Sequence, residues 1–345
     1  MQERAHAKVN LVLSVTPGVC EGAYHEVRTV MCALGLHDEV ELCELAAGEG
    51  LVLSCEPDPL PAGADPAANL AYRAAVGMAE AFEKPLEMSV ALHKHVPSQA
   101  GLGGGSSDAA AVMRGLARMW HIDLDDERVV RLAQSLGADV AFFLHEVPSY
   151  LDGRGDVLRE TFAPFSAPIV LVKPDQGVST GACYRLLDEM ATPAPQVELM
   201  LEALRTRDVP GALAAVANNM EPAALQLAPA IAEVFAFLQD SGACQAGPLL
   251  CGSGSCVCAF VGDLTAAERL AAQAREHGWW ACVSTTLASR AARSLRTPSA
   301  AAGAKNSRLA NIPEMLVSRA MREDADISQA LPEMPRTAGA KHIAS

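Results

Sequence analysis

Aromatic side chains are scarce in this chain: 3 Trp, 4 Tyr and 8 Phe make up 4% of its 345 residues. An aromatic residue beside polar neighbours therefore carries more information than usual. Basic residues are also in short supply, 27 Lys and Arg against 41 Asp and Glu, for a formal net charge of −14. A broad phosphate-binding face needs a clustered Lys/Arg excess, so the balance argues against a nucleic-acid partner. No run approaches the ~18 apolar residues that a membrane span needs, and residues 1–8 lack the apolar stretch of a secretion signal. The expectation is a protein with no membrane partner. Cysteine is not lacking, but the ten cysteines lie among apolar residues, as in Val30-Met31-Cys32-Ala33-Leu34 and Val257-Cys258-Ala259-Phe260. The spacings Cys251 to Cys256 and Cys256-x-Cys258 match neither a zinc knuckle nor a redox CxxC, which leaves buried thiols and a reducing cytoplasm as the reading.

Half the residues are hydrophobic and a fifth are charged, with a mean hydropathy of +0.16. That is enough apolar side chain for real cores, and 345 residues allow two domains. The charge is unevenly placed. Residues 297–345 sum to +1, so the first 296 carry −15. In that last stretch Ala, Ser, Pro and Gly dominate and apolar periodicity fades, which predicts a disordered tail over 296–345 with at most a short helix at 312–325.

Alternation of apolar and polar residues predicts strands at 7–15, 39–45, 87–94, 167–172, 256–261 and 280–285. In the first of these, Val9, Leu11 and Leu13 share one face while Lys8 and Asn10 share the other. Helical spacing predicts helices at 69–82, 108–120, 126–136, 179–190, 196–209, 223–238 and 266–277. Both halves mix strands and helices, so the fold class is α+β, with a boundary between 159 and 168. The domains are expected at 1–160 and 161–295.

The strongest chemical feature is Pro97-Ser98-Gln99-Ala100-Gly101-Leu102-Gly103-Gly104-Gly105-Ser106-Ser107-Asp108, between a strand and a helix. Four glycines in five residues free backbone N–H groups to turn toward a ligand, and the helix N-terminus that follows favours an anion. Ser106, Ser107 and Asp108 are each good helix caps, with Asp108 the expected cap or first-turn acid. The loop lacks the Lys of a Walker A motif and the G-x-G-x-x-G offset of a dinucleotide fingerprint. It reads as a phosphate loop of another kind. A kinase acting on an alcohol also needs a base beside the attacking hydroxyl and a cation near the transferred phosphoryl. Asp139, between Gly137 and the apolar Val140-Ala141-Phe142-Phe143, is the best base, with a buried helix cap as its alternative role. Lys8 could instead be a solvated edge lysine.

The loop resembles the nucleotide-phosphate motif of the galactokinase, homoserine kinase, mevalonate kinase and phosphomevalonate kinase (GHMP) superfamily. Further segments narrow the resemblance: Ala5-x-Ala7-Lys8-Val9-Asn10-Leu11, Tyr24-His25-Glu26, Leu136-Gly137-Ala138-Asp139-Val140, Lys173-Pro174, Asn218-Asn219-Met220-Glu221-Pro222 and Cys251-Gly252-Ser253-Gly254-Ser255-Cys256. Together, from residue 5 to about 293, they are similar to the family of 4-diphosphocytidyl-2-C-methyl-D-erythritol kinases of non-mevalonate isoprenoid precursor synthesis. The resemblance implies a two-domain fold, an N-terminal ribosomal-protein-S5-like domain and a C-terminal ferredoxin-like α/β domain. It also implies ATP and Mg²⁺ as cofactors, a small-molecule substrate and a monomer or homodimer.

By the same resemblance Asp139 is the general base and Lys8 its partner. Pro97, Gly101, Leu102, Gly103, Gly104, Gly105, Ser106 and Ser107 would hold ATP phosphates, and Asn69 would lie near the adenine. Asn10 and Thr180 would contact the methylerythritol part or its phosphates, and Tyr24, His25 and Tyr184 the cytosine. Two rival readings remain: another kinase of the superfamily acting on homoserine or a mevalonate derivative, and a non-catalytic nucleotide-binding protein. The aromatic trio argues against the first, and retention of both Lys8 and Asp139 against the second. One departure from the family pattern is an extra residue, within Glu21-Gly22-Ala23, before Tyr24.

Overall fold

In the computed structural model the described residues are 1–18, 24–57 and 65–288. The expected tail and its short helix therefore lie outside them, as does the extra residue before Tyr24. The chain opens with two long strands, β1 (Gln2–Val15) and β2 (Val27–Glu44), paired antiparallel with register shifts on either side of the Lys8–Asn10 stretch. Then follow β3 (Leu51–Glu56), α1 (Leu70–Ala81), β4 (Met88–His93), α2 (Gly104–Trp120), α3 (Glu127–Leu136) and the single turn α4 (Val140–Phe143). The hairpin β5 (Ser149–Asp152) and β6 (Val157–Thr161) closes this half. The second half runs β7 (Pro168–Lys173), α5 (Thr180–Met190), α6 (Glu198–Thr206), α7 (Val209–Ala214), β8 (Ala217–Asn218), α8 (Glu221–Leu227) and α9 (Ala230–Asp240). It ends with β9 (Leu249–Leu250), β10 (Val257–Phe260), α10 (Leu264–Glu276) and β11 (Trp280–Thr285).

Two sheets result. The first has the order β3-β4-β2-β1-β8, with β5 on a further part of β2 and β6 on β5. The second is β11-β7-β10-β9, antiparallel throughout. Three apolar clusters tie the layers together. Met78, Met113, Leu116 and Phe143 pack α1 to α4 on one face of the first sheet. Val9, Leu11, Ile169, Leu171 and Phe260 fill the space between the sheets. Val170, Val172, Ile231, Leu238 and Leu270 seat α5, α8, α9 and α10 on the far face of the second. Period-2 alternation explains the site directly: with Val9 and Leu11 turned to the inter-sheet core, Lys8 and Asn10 must face the opposite way.

Several sequence-based elements differ: the strand expected from 39 begins at Val27, and β3 and α7 were not expected. The helix expected from 108 begins at Gly104, capped by Gly103, so the glycines form its first turn and not only the loop before it. The helix expected over 223–238 is two, α8 and α9, because Pro229 has no N–H to continue the first and stands as the cap of the second. The hairpin β5–β6 went unread, since its strands are only four and five residues long, too short for alternation to stand out. Of the described cysteines, Cys32, Cys183, Cys251, Cys256 and Cys258 are buried, but Cys43 is exposed.

Candidate active site

A cavity of about 660 Å³ opens along the end of α2, lined by the phosphate loop from Pro97 to Ser106, Asn69, Lys8, Asn10, Asp139, Thr180 and Tyr184. At its centre Lys8, only 4% exposed, lies 3.5 Å from Asp139, Nζ to Oδ2. The lysine is fixed by a relay along two strands. Its Nζ donates to Asn10 Oδ1 (2.6 Å), Asn10 Nδ2 donates to Thr29 Oγ1 (2.9 Å), and Thr29 Oγ1 donates to the Val12 carbonyl (2.7 Å). A buried ammonium is costly without such partners, so this lysine is no solvated edge residue. Asp139 stands at the start of α4 but makes no side-chain cap bond, which leaves its carboxylate, on a side chain 30% exposed, to the cavity and to Lys8. The alternative role as a buried cap is set aside.

The phosphate loop is shaped by contacts that only glycine permits. Gly101 has φ +73°, and a Cβ there would sit 1.8 Å from the Cys251 carbonyl oxygen, because the loop packs backbone to backbone on the Gly252 turn. Ser255 N–H and Cys256 N–H donate to the Gln99 and Ala100 carbonyls (3.1 and 3.3 Å). Gly105 differs. The nearest protein atom to a Cβ there is Leu70 Cδ1 at 4.0 Å, so its missing side chain leaves room at the helix N-terminus for a ligand rather than for protein. Leu102 turns its side chain into the core and accepts the Lys8 N–H at its carbonyl (3.0 Å). Ser106 lines the cavity, whereas Ser107 is fully buried.

Asp108 is not a cap. The helix starts four residues earlier, and the Asp108 carboxylate is buried against Lys94, which also binds Asp38. Asp38 Oδ1 accepts from the His95 and Val96 N–H groups, so the triad anchors the strand end from which the loop departs. One lysine cannot neutralise two buried carboxylates. Burial, helped by the Asp38 charge and opposed by Lys94, pushes the Asp108 pKa up to about 7. Burial weakens Lys94 as a cation, but the Asp108 and Asp38 carboxylates outweigh it and hold its pKa above the ordinary value.

Asn69 caps α1, its Oδ1 accepting the Ala71 N–H at 2.8 Å, while also lining the cavity. At the other end Thr180, the first residue of α5, shares a hydrogen bond with Ser253 (Oγ1 to Oγ, 2.9 Å). Asn218 holds the Gly252 turn by donating to the Leu250 and Gly252 carbonyls (2.9 and 2.7 Å), and Asn219 pairs with both backbone groups of Val15. The expected aromatic group is split. His25 meets Tyr184, rings 4.8 Å apart at 54°, but its Nε2 is engaged by Asp188 Oδ1 at 2.8 Å. Tyr24 instead lies under the Arg154 guanidinium, 4.8 Å from Cζ to ring centroid. Burial and the charge of Asp139 push the Tyr184 pKa up.

Sequence reasoning missed Asp38, Asp188 and Arg154. Asp188 falls four residues after Tyr184 on α5, the spacing that puts two side chains on one helix face, and it also accepts the Gly18 N–H at 2.7 Å. That bond chiefly, with His25, holds its pKa below the ordinary carboxylate value. For Asp38 the sequence offered no signal, since its partner Lys94 is 56 residues away.

Comparisons with known proteins agree with the geometry. The family described as GHMP kinases N terminal domain matches residues 69–146, and GHMP kinases C terminal matches 200–278. The 4-diphosphocytidyl-2-C-methyl-D-erythritol kinase of Exiguobacterium sibiricum is 36% identical over 267 residues, 77% of this chain and 91% of its own length. That of Pelotomaculum thermopropionicum is 37% identical over 272 residues, 79% and 92%. A crystal structure of 4-(cytidine 5'-diphospho)-2C-methyl-D-erythritol kinase, 34% identical, superposes with a TM-score of 0.68 over 83% of this chain and 98% of that one. With relatives 36–37% identical over more than three quarters of its length and both GHMP domains matched, the chain belongs to the 4-diphosphocytidyl-2-C-methyl-D-erythritol kinase family of the GHMP kinases.

Proposed function

We propose that the protein transfers the γ-phosphoryl group of ATP to the 2-hydroxyl of 4-diphosphocytidyl-2-C-methyl-D-erythritol. The observation that carries this reading is the Lys8–Asp139 pair at 3.5 Å, set in one cavity between a glycine loop at a helix N-terminus and an aromatic, hydroxyl-bearing end. Asp139 accepts the hydroxyl proton as the oxygen attacks the γ-phosphorus, and the bond to the ADP oxygen breaks in line. Lys8, held by Asn10, stabilises the charge that builds on the reacting oxygens. The Gly103–Ser106 backbone receives the ATP phosphates, with Gly105 leaving the space for them. Thr180 and Asn10 hold the methylerythritol part, and Tyr184, backed by His25, faces the cytosine.

The oxygen donors at the loop suit a hard divalent cation. Asp108 Oδ1 is buried with no hydrogen-bond partner among the described residues, and the Ser106 hydroxyl lines the same cavity. Mg²⁺ is usually held by one or two carboxylates together with substrate phosphates, so Ser106 and Asp108 are the residues that would hold it. There it would neutralise phosphate charge.

The test is ADP release from ATP with the cytidyl alcohol, homoserine and mevalonate offered separately. Turnover is expected with the cytidyl alcohol, with the new phosphate on its 2-oxygen by phosphorus NMR. Turnover with homoserine or mevalonate alone would overturn the assignment.

A further inference from the structure

The turn between β5 and β6, Gly153-Arg154-Gly155-Asp156, carries a cation that the reaction as described does not use. Arg154 lines the same cavity as Asp139, Thr180 and Tyr184. Its backbone bridges to Val27, just after the Tyr24-His25 segment, and the Val27 N–H donates to the Gly153 carbonyl at 2.8 Å. The side chain is held rather than loose. Asp156, nearly buried, accepts from the Arg154 backbone N–H (3.1 Å), Nε (3.1 Å) and Nη2 (2.7 Å), and Nη2 also donates to the Gln134 carbonyl at 3.2 Å. With that edge of the fork engaged, the flat guanidinium lies over Tyr24 and the side chain remains 38% exposed.

The cations lining the cavity differ in what they are already doing. Lys94 is locked between Asp38 and Asp108, and Lys8 between Asn10 and Asp139. Arg154 is the cavity cation that also touches an aromatic ring of the acceptor end. A cytidyl acceptor places its diphosphate between the base and the alcohol, so the charge must cross the cavity between the aromatic residues and Asp139.

We propose that Arg154 binds the diphosphate of the acceptor, and that by lying against Tyr24 it joins phosphate recognition to base recognition in one side chain. This rests on the acceptor being the nucleotide alcohol assigned above. A planar guanidinium whose Nε and Nη2 are pinned by Asp156 and the Gln134 carbonyl is oriented in advance, which leaves Nη1 to donate to phosphate oxygens at less ordering cost than a flexible lysine.

Arg154→Met and Arg154→Lys, compared with the unaltered protein, test this by two readouts. In steady-state kinetics Arg154→Met is expected to raise the acceptor KM by ~10–100-fold, the usual range for a lost charge-assisted contact, with the KM for ATP unchanged. Arg154→Lys should recover part of the loss. In direct binding, Arg154→Met should weaken cytidine diphosphate by at least tenfold more than it weakens cytidine. An unchanged acceptor KM, or equal weakening of both ligands, overturns the proposal, the latter because it would mean that Arg154 merely supports Tyr24. The two assignments fail separately. Absence of turnover of the cytidyl alcohol by the unaltered protein overturns the function, while the cytidine diphosphate and cytidine binding pair still decides Arg154.

Discussion

The two ends of the cavity are built to hold charge by different means. At the end we assign to ATP, one unbroken stretch from Pro97 to Ser106 lines the cavity and its backbone would meet the phosphates, with the side chains of Asp38 and Lys94 as its anchor. At the end we assign to the acceptor, the cavity is lined by side chains drawn from β1, α5, the β5–β6 turn and the start of α4. Peptide N–H groups at a helix N-terminus carry a fixed partial positive charge that needs no counter-ion, so a chain with a net charge of −14 can still receive a triphosphate. Side-chain cations carry a full charge and, when partly buried, must be held between partners, as Lys8 is by Asn10 and Asp139 and Arg154 is by Asp156.

The difference can be broken at either end. The largest effect is expected where the ends meet. Asp139→Asn should lower kcat by ~10²–10⁴-fold with ATP affinity intact, measured by single-turnover kinetics and ATP titration; near-normal turnover would remove Asp139 as the base. At the backbone-built end the expected failure is structural. Gly101→Ala puts a Cβ against the Cys251 carbonyl at φ +73° and should cost roughly 2–5 kcal/mol, read by urea unfolding. If instead it unfolds like the unaltered protein, the contact between the two glycine turns is not what holds the loop.

β1 serves both ends, and His6, two residues before Lys8, reports on it. Burial, with the nearby charge of His37 and against the Leu34 carbonyl bond, lowers the His6 pKa to about 4. Folding therefore favours the neutral ring. The stability this provides is complete above pH 6.5 and is lost as the pH falls from 6.5 toward 4, on the order of 3 kcal/mol over that window. Unfolding free energies at pH 7.5 and 5 should differ by less in His6→Gln; an unchanged difference would place the acid sensitivity elsewhere. The smallest effect is expected at the side-chain end. Tyr184→Ala should raise the acceptor KM by about tenfold, a lost base stack of ~1–3 kcal/mol, and leave the KM for ATP alone.

The backbone-built end was legible because its information is local. Glycine spacing and the helix that follows lie within one segment, and the error there, Asp108 read as a cap, came from placing the helix start four residues late. Lys8 and Asn10 were legible as a pair because alternation puts them on one face of β1. The grouping of the aromatic residues was read less well. Tyr24 and His25 are neighbours in sequence, yet one side chain meets Arg154 and the other Tyr184 and Asp188.

By itself the sequence determined the α+β order of elements, the glycine loop ahead of a helix, and the shared face of Lys8 and Asn10. Each follows from periodicity or glycine freedom, which act over a few residues. Tertiary structure alone decided that Lys94 is spent between two carboxylates, that Asp188 ties α5 to the β1–β2 connection, and that Arg154 meets Tyr24 across 130 residues of chain. Those contacts depend on which strands pair and in what register, and no local pattern specifies a partner that distant.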